Sequence, residues 1–440
     1  MKLTNLLNNY IKSKKLNIIV LILLLPVMVF AQKSNGITLD SLQYLAREHY
    51  PYFRELILTG QYADEDVKSI NTKWLPQFAV TGKLTGQSEV THITLPETIQ
   101  QMGFTLDEGK KIQYQAGVSV TQMIYDGGLT GISKKISRLS NDIQAGNIEM
   151  GMLQIESTVN TIFENVLIMR EQISMLDFNK KDLEARKNDL SSALENGMAI
   201  KADWQDLNAE LLSLEQKKIE ATSSLENLYE QLSFITQQKI DTAQVLVFTK
   251  LTARQSDSDF SNRPDYKMLN EQLQLCDVQK RGLNRQNLPQ LTMFANGYYG
   301  CPGINYLDYS DHFSGIVGLQ LQWNINHLYT SSHNHKKIEI QKSMLKSEQD
   351  ILNIELNRDL RQIKIEQVEQ QQLISKDDDI VKARAEIRET AQVQFENGTM
   401  TFANYLDKLN AESLAIANRN IHKIKLFMCT VKENTLMNKK

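Results

Sequence analysis

Glu195-Asn196-Gly197 is followed shortly by Leu207-Asn208-Ala209-Glu210, and Glu396-Asn397-Gly398 is followed in the same way by Leu409-Asn410-Ala411-Glu412. Each copy sits in a long proline-free tract. Each places one Asn-Gly, a left-handed turn signal, between two runs of helical pattern. Asn196, Gly197, Asn397 and Gly398 are therefore expected at the tips, residues 196–198 and 397–399, of two helical hairpins.

The tracts on either side support long rods. Proline is absent between Pro96 and Pro264 and again after Pro302, and Gly398 is the only glycine after Gly318. Before the first tip, Ile155, Val159, Ile162, Val166, Met169, Ile173 and Leu176 step by four and three, a coiled-coil seam. After it, Leu207, Leu211, Leu214, Ala221, Leu225, Leu228, Leu232 and Ile235 form a second seam with Lys218 as its one polar intruder. The helix after the second tip is expected to seam at Leu414, Ala417, Ile421, Ile424, Met428 and Val431. Sixty-odd residues at about 1.5 Å each give a rod of roughly 100 Å.

What the hairpins hang from changes period. Ile112, Tyr114, Ala116, Val118 and Val120 alternate with Gln113, Gln115, Gly117, Ser119 and Thr121, a strand with one apolar and one polar face. Four strands are expected, at 77–85, 112–124, 290–297 and 313–325. The polar face carries Gln113, Gln115, Ser119 and Thr121 in the second and Gln320, Gln322 and Asn324 in the fourth. A Tyr- and Gly-rich loop from Tyr298 to His312 is expected between the last two strands.

The halves repeat. Pro51 and Pro264, like Pro76 and Pro289, are 213 residues apart; Gly117 and Gly318, like Gly197 and Gly398, are 201 apart. Internal duplication follows, with the length difference confined to the strand–strand connection, where exposed loops vary. The expected layout is a leader at 1–31, a first repeat at 32–236, a linker at 237–262 and a second repeat at 263–440. The linker run Val245-Leu246-Val247-Phe248 could carry one further strand.

The leader follows from Lys2, Lys12, Lys14 and Lys15 ahead of an apolar run from Leu16 to Phe30, closing on Val29-Phe30-Ala31. That is a secretory signal peptide, since a run of about 15 residues is short of the roughly 20 that span a bilayer as helix. Gln32 rather than Cys argues against a lipid anchor. Loss of four lysines and no acid takes the formal charge from −3 to about −7, which argues against nucleic acid as a partner. Three cysteines, Cys276, Cys301 and Cys429, make no disulfide framework. No H-E-x-x-H, G-x-S-x-G or P-loop occurs, so neither enzyme chemistry nor a cofactor is indicated. His327, His333 and His335 lack a carboxylate or Cys to complete a metal site; surface histidines are the simpler reading.

Four strands of about ten residues have the length and alternation of membrane-spanning β-strands. Tyr298, Tyr299, Phe313 and Trp323 lie near their ends, where aromatic girdles sit. A four-stranded sheet leaves unsatisfied edges in lipid and cannot close alone. If it spans a membrane, protomers must share one barrel, with the Gln/Ser/Thr/Asn face toward water. The competing reading is an exported coiled-coil scaffold without a pore, which gives no reason for amphipathic strands.

With these residues in view, the sequence resembles the TolC-like outer-membrane efflux protein family over essentially the whole mature chain. The carriers are the doubled Leu-Pro-Gln (75–77 and 288–290), Tyr125-Asp126-Gly127-Gly128 at strand exit, Asn262-Arg263-Pro264-Asp265 and the doubled tip. The resemblance implies a mostly α fold: a homotrimer with a twelve-stranded β-barrel in the outer membrane, continuous with a long periplasmic α-helical barrel. It implies docking to a periplasmic adaptor protein and an inner-membrane pump or secretion transporter. It also implies an acidic periplasmic entrance just past the second tip, at positions matching Asn404 and Asp407, with Asp203 and Asp206 in the first repeat. Only Asp407 keeps the family's acid there. One departure is His327-Leu328-Tyr329 where the first half has Asp126-Gly127-Gly128.

Overall fold

Strict alternation over Ile112 to Thr121 demands an extended backbone, because only a period of two separates these residue classes. The computed structural model describes residues 36–90, 96–103, 109–196, 200–247, 259–305 and 308–438. The expected leader and Gly197 lie outside the described residues. In chain order the elements begin with β1 (Ile37–Thr38), α1 (Leu39–His49), α2 (Pro51–Asn71), β2 (Gln77–Gly86) and β3 (Ile112–Tyr125). Then come α3 (Leu129–Glu195), α4 (Lys201–Thr236), β4 (Leu246–Val247) and α5 (Pro264–Gln286). The chain continues through β5 (Gln290–Cys301), β6 (His312–Gln322), α6 (His327–Glu396) and α7 (Phe402–Leu436). The chain is mostly helical: α3 has 67 residues and α6 has 70. Among the described residues, no helix is long and apolar enough to cross a membrane.

The chain divides into two compact units. One contains Ala46–Thr158, Thr252–Ser375 and Lys425–Lys440. It includes a four-stranded antiparallel sheet in the order β2-β3-β5-β6. Both strand–strand connections leave one end of this sheet, and the connections to α2, α3, α5 and α6 leave the other. Helices α2 and α5 each begin with proline in the first turn, where the missing N–H costs nothing. Helix α5 packs Leu269 and Cys276 against Ile338 and Leu345 of α6. At the start of α5, Arg263 pairs with Asp265 at 2.7 Å and donates to the Leu436 carbonyl at the end of α7, satisfying a C-terminal orphan.

Two strand ends differ from the expected ones. Tyr298 to Cys301 belong to β5, not to a loop, and pair with β3 through Tyr114↔Cys301. Gly300 permits this, because a Cβ there would sit 2.0 Å from the Tyr114 carbonyl oxygen. The Tyr- and Gly-rich composition suggested a loop, but this glycine marks a close backbone approach. At the other end, β6 stops at Gln322 rather than 325. The Trp323 indole N–H donates to the Asn287 carbonyl at 2.9 Å, and Asn324 Oδ1 accepts the Asn326 N–H at 3.2 Å. Asn324 is thus a turn residue outside the strand, because its side chain competes for the backbone.

The other unit contains Met1–Leu45, Val159–Leu251 and Lys376–Ile424. Its core gathers Leu176, Leu183 and Leu190 of α3, Leu207, Leu211 and Leu214 of α4, Ala391 of α6, and Phe402, Tyr405 and Leu409 of α7. Here the expected α7 seam shifts. Leu414 is 54% exposed, and Glu412 and Ser413 take the buried positions. Both are held by polar partners described below, so buried hydrogen bonding displaces an apolar contact. Lys218, the intruder on α4, is neutralised by Asp177 of α3 at 2.5 Å. Short parallel strands β1 and β4 pair Ile37↔Leu246 and Thr38↔Val247, giving the linker the further strand its apolar run allowed. Arg170 secures the same segment, donating to Tyr229 Oη at 2.7 Å and to the Thr242 and Gln244 carbonyls at 2.9 and 3.0 Å.

Candidate functional site

Pairing register determines which residues share a sheet face, since directly opposed residues point the same way. Phe78↔Val120 and Val80↔Val118 align with Val120↔Ala295 and Ala295↔Val317, so the apolar positions of all four strands coincide. This face is not covered: Val80 is 85% exposed, Phe78 72% and Leu319 68%. Aromatic residues sit at both ends of it, with Tyr114, Tyr299 and Phe313 at the loop end and Tyr125 and Trp323 at the helix end. An apolar sheet face bare to its surroundings inverts the arrangement of a water-soluble sheet.

The opposite face carries Gln113, Gln115, Ser119, Thr121, Gln320 and Gln322. The structure does not gather these into one cluster. Gln113 and Gln115 lie toward the loop end, where Gln113 exchanges amide hydrogen bonds with Gln87 and Gln115 donates to the Pro302 carbonyl. Gln320 and Gln322 lie toward the helix end, opposite Thr292 and Gln290. Between them is an open concavity of ≈ 450 Å³, lined in part by Thr81, Ser119, Phe294, Asn296, Tyr298 and Gln320.

The strand-to-helix joint after β3 is made by Asp126. Its Oδ1 accepts the Gly128 N–H at 2.8 Å and its Oδ2 the Thr130 N–H at 2.6 Å, capping α3. Burial alone would raise this carboxyl; the hydrogen bonds from Thr130 and Gly128 outweigh it and hold it below the ordinary value. At the corresponding position after β6, His327 simply begins α6, reached through backbone turns Leu328 N–H to Ile325 and Tyr329 N–H to Asn326. His327 and His333 are exposed and His335 half-buried. Among the described residues, no group of three or more His, Cys, Asp or Glu is placed to hold a metal ion.

At the second tip the Asn397-Gly398 turn has a definite chemistry. Gly398 has φ +72°, its N–H reaches the Phe395 carbonyl, and the Thr399 N–H reaches Gln394. These are the two bonds of a Schellman cap, which needs the left-handed residue that glycine supplies without cost. Thr401 then caps α7, its Oγ1 accepting the Asn404 N–H at 3.4 Å. At the first tip, the Asn196 N–H bonds back to Ser192 at 3.2 Å. Trp204, early in α4, ties to α3 through its indole N–H on Ser191 Oγ at 3.0 Å, with Lys187 over its ring.

Asn404 and Asp407 fall one turn apart on the exposed side of α7, away from buried Tyr405 and Leu409. Asp206 is likewise exposed on α4, and Asp203 half-buried in its first turn. Beneath them lies a network the sequence did not disclose. Tyr405, fully buried, donates to Asp182 Oδ2 at 2.6 Å, lies beneath the Arg186 guanidinium and stacks on Phe395 at 5.3 Å. Arg186 also bridges to Glu396 at 2.7 Å. Deeper, Arg388 Nε donates to buried Glu412 at 2.8 Å, and Asn179 links Asn410 and Ser413. Asp182 and Arg186 stand four apart on α3, the spacing of an ordinary solvated helix pair. Their partner, 223 residues beyond Asp182, leaves no local signal.

No protein-family model matches the chain, and its sequence matches no curated protein. Solved structures match its fold. The Campylobacter jejuni CmeC outer membrane channel aligns with a TM-score of 0.66 at 16% identity, over 92% of this chain and 86% of that one. The open state of the Neisseria gonorrhoeae MtrE outer membrane channel gives 0.68 at 13% identity, over 91% and 88%. CusC, described in terms of folding and transmembrane channel formation, gives 0.69 at 11% identity, over 91% of each chain. The chain therefore has the fold of these channels, and what it does must be argued from its own surfaces.

Proposed function

We propose that the chain is a TolC-like outer-membrane channel protomer: the exit duct through which an efflux or type I secretion system passes small molecules or polypeptides to the exterior. The observation that carries this is the bare apolar face shared by β2, β3, β5 and β6. Such a face is stable against lipid and unstable against water. Strands of 10 to 14 residues, tilted about 40°, cover roughly the 25 Å apolar band of an outer-membrane barrel.

In this reading the edges of β2 and β6 pair with neighbouring copies, so that a homotrimer closes one twelve-stranded barrel and no edge is left unsatisfied. The Gln-, Ser- and Thr-bearing face then lines water. The helical hairpins, related by internal duplication, form a periplasmic tunnel whose tips meet an adaptor protein and an inner-membrane pump. Exposed Asp407, with Asp203 and Asp206, gives the entrance its charge, and threefold symmetry focuses that charge on the axis. The chain itself performs no bond chemistry, and the pump supplies energy and choice of cargo.

The test is membrane fractionation followed by electrophoresis of unheated and heated samples, with conductance in planar bilayers. A heat-dissociable trimer in the outer membrane that opens steady channels is expected. A soluble exported monomer without conductance would leave the coiled-coil scaffold as the better reading.

A further inference from the structure

Lys83 is the only Lys, Arg, Asp or Glu in the four strands of the sheet. Register puts it on the polar face: it stands opposite Gln115, and Thr81 and Thr85 flank it on the same side of β2. Its side chain is exposed and makes no ion pair among the described residues. The rest of that face is amide, hydroxyl, glycine, ring or aliphatic carbon, apart from His312 at the loop end, whose Nδ1 is bonded to the Ser310 carbonyl. Within the four strands, this ammonium is the whole fixed charge of the wall.

We propose that Lys83 sets the charge preference of the barrel, favouring small anions and solutes bearing carboxylate or phosphate over cations. This rests on the trimeric pore proposed above. Three copies would place three ammoniums around one lumen at a single height, a few residues from the loop end of the sheet. Walls backed by an apolar face confine the field to the water they enclose, so the potentials add where a solute must pass. The sign is opposite to that of the acidic helix tips, giving the duct two unlike charge rings in series. A lysine on an edge strand also has a simpler use, as a guard against misplaced strand pairing; that use predicts no effect on permeation.

The experiment uses the full chain in planar bilayers under a KCl gradient at low salt, where screening is weakest. The reversal potential is compared for the wild type, Lys83→Arg, Lys83→Gln and Lys83→Glu. Lys83→Arg is expected to match the wild type. Lys83→Glu is expected to lower the chloride-to-potassium permeability ratio by roughly twofold or more, with Lys83→Gln between. Open channels whose reversal potential is unmoved by Lys83→Gln and Lys83→Glu overturn the proposal and leave the edge-guard role. A wild type that opens no channel refutes the pore reading itself, a distinguishable result. If the charge variants fail to insert, Lys83→Cys can be modified in the open channel, since Cys276, Cys301 and Cys429 are buried. Anionic and cationic thiol reagents should then shift the reversal potential in opposite directions, and absence of any shift rejects Lys83 as the determinant.

Discussion

The Tyr405 hydroxyl donates to Asp182 Oδ2 at 2.6 Å, joining α7 to α3 inside the core of the hairpin unit. Burial, then the hydrogen bond to and charge of Asp182, push the Tyr405 phenol up to about 12, with Arg186 opposing. A pKa raised in the folded state means that stability is fully present below the ordinary phenol value, about 10. It falls as pH rises from there through about 12. Tyr405→Phe should remove that alkaline loss. At neutral pH it should cost about 1–3 kcal/mol, because Asp182 loses its donor. Denaturant unfolding followed by circular dichroism from neutral to strongly alkaline pH checks both. A variant as alkali-sensitive as the wild type would exclude Tyr405 as the source.

Glu412 is buried and Arg388 is its ion-pair partner at 2.8 Å. The hydrogen bond with Glu412 holds the Arg388 guanidinium above its ordinary value, against the opposing effect of burial. Arg388→Ala strands a carboxylate in the core and should cost about 3–5 kcal/mol. Replacing both, Arg388→Met with Glu412→Leu, should recover most of that loss, since no charge is left buried. A double-mutant cycle on unfolding free energies decides it: simple additivity of the two single changes would contradict the pairing.

Asp126 caps α3 where it leaves β3. Asp126→Ala should cost about 1 kcal/mol, the usual worth of such a cap. The carboxyl is held below its ordinary value by the Thr130 and Gly128 hydrogen bonds, which outweigh burial. Its contribution is therefore present above the ordinary carboxyl value, about 3.9, and is lost as pH falls through the lower folded one. Thermal unfolding from pH 6 downward should show wild type and Asp126→Ala converging below that value. Curves that stay parallel would assign the acid sensitivity elsewhere.

Asp407 is exposed on α7 one turn beyond Asn404. If the hairpin tips form the duct entrance, Asp407→Asn should shift ion preference away from cations and change single-channel conductance by a factor of about two, because a ring of carboxylates at a constriction acts directly on permeating ions. Asn404→Ala should move neither by charge. Planar-bilayer recordings of both variants measure this, and an Asp407→Asn channel with wild-type conductance and ion preference would place the entrance elsewhere.

Much of the architecture is local and therefore legible in the residue order. Alternation from Ile112 to Thr121 contains both the strand and its faces, because a period of two leaves no other conformation that separates them. The proline-free tracts and four-three seams contain the long helices, and Asn397-Gly398 contains its own turn, because a left-handed residue is a property of one position. Local reading failed where a residue served a distant partner. Gly300 looked like part of a loop and is a strand residue pressed against the Tyr114 carbonyl. Leu414 looked like seam and is exposed, while Glu412 and Ser413 are buried because Arg388 and Asn179 meet them.

By itself, then, the sequence determined the long helices, the alternating faces of the strands and the turn at Asn397-Gly398, all set by interactions within a few residues. Only the tertiary structure decided the strand order β2-β3-β5-β6, the register that aligns four apolar faces, and the meeting of Tyr405 with Asp182. Those depend on contacts between segments far apart in the chain, which no local periodicity encodes.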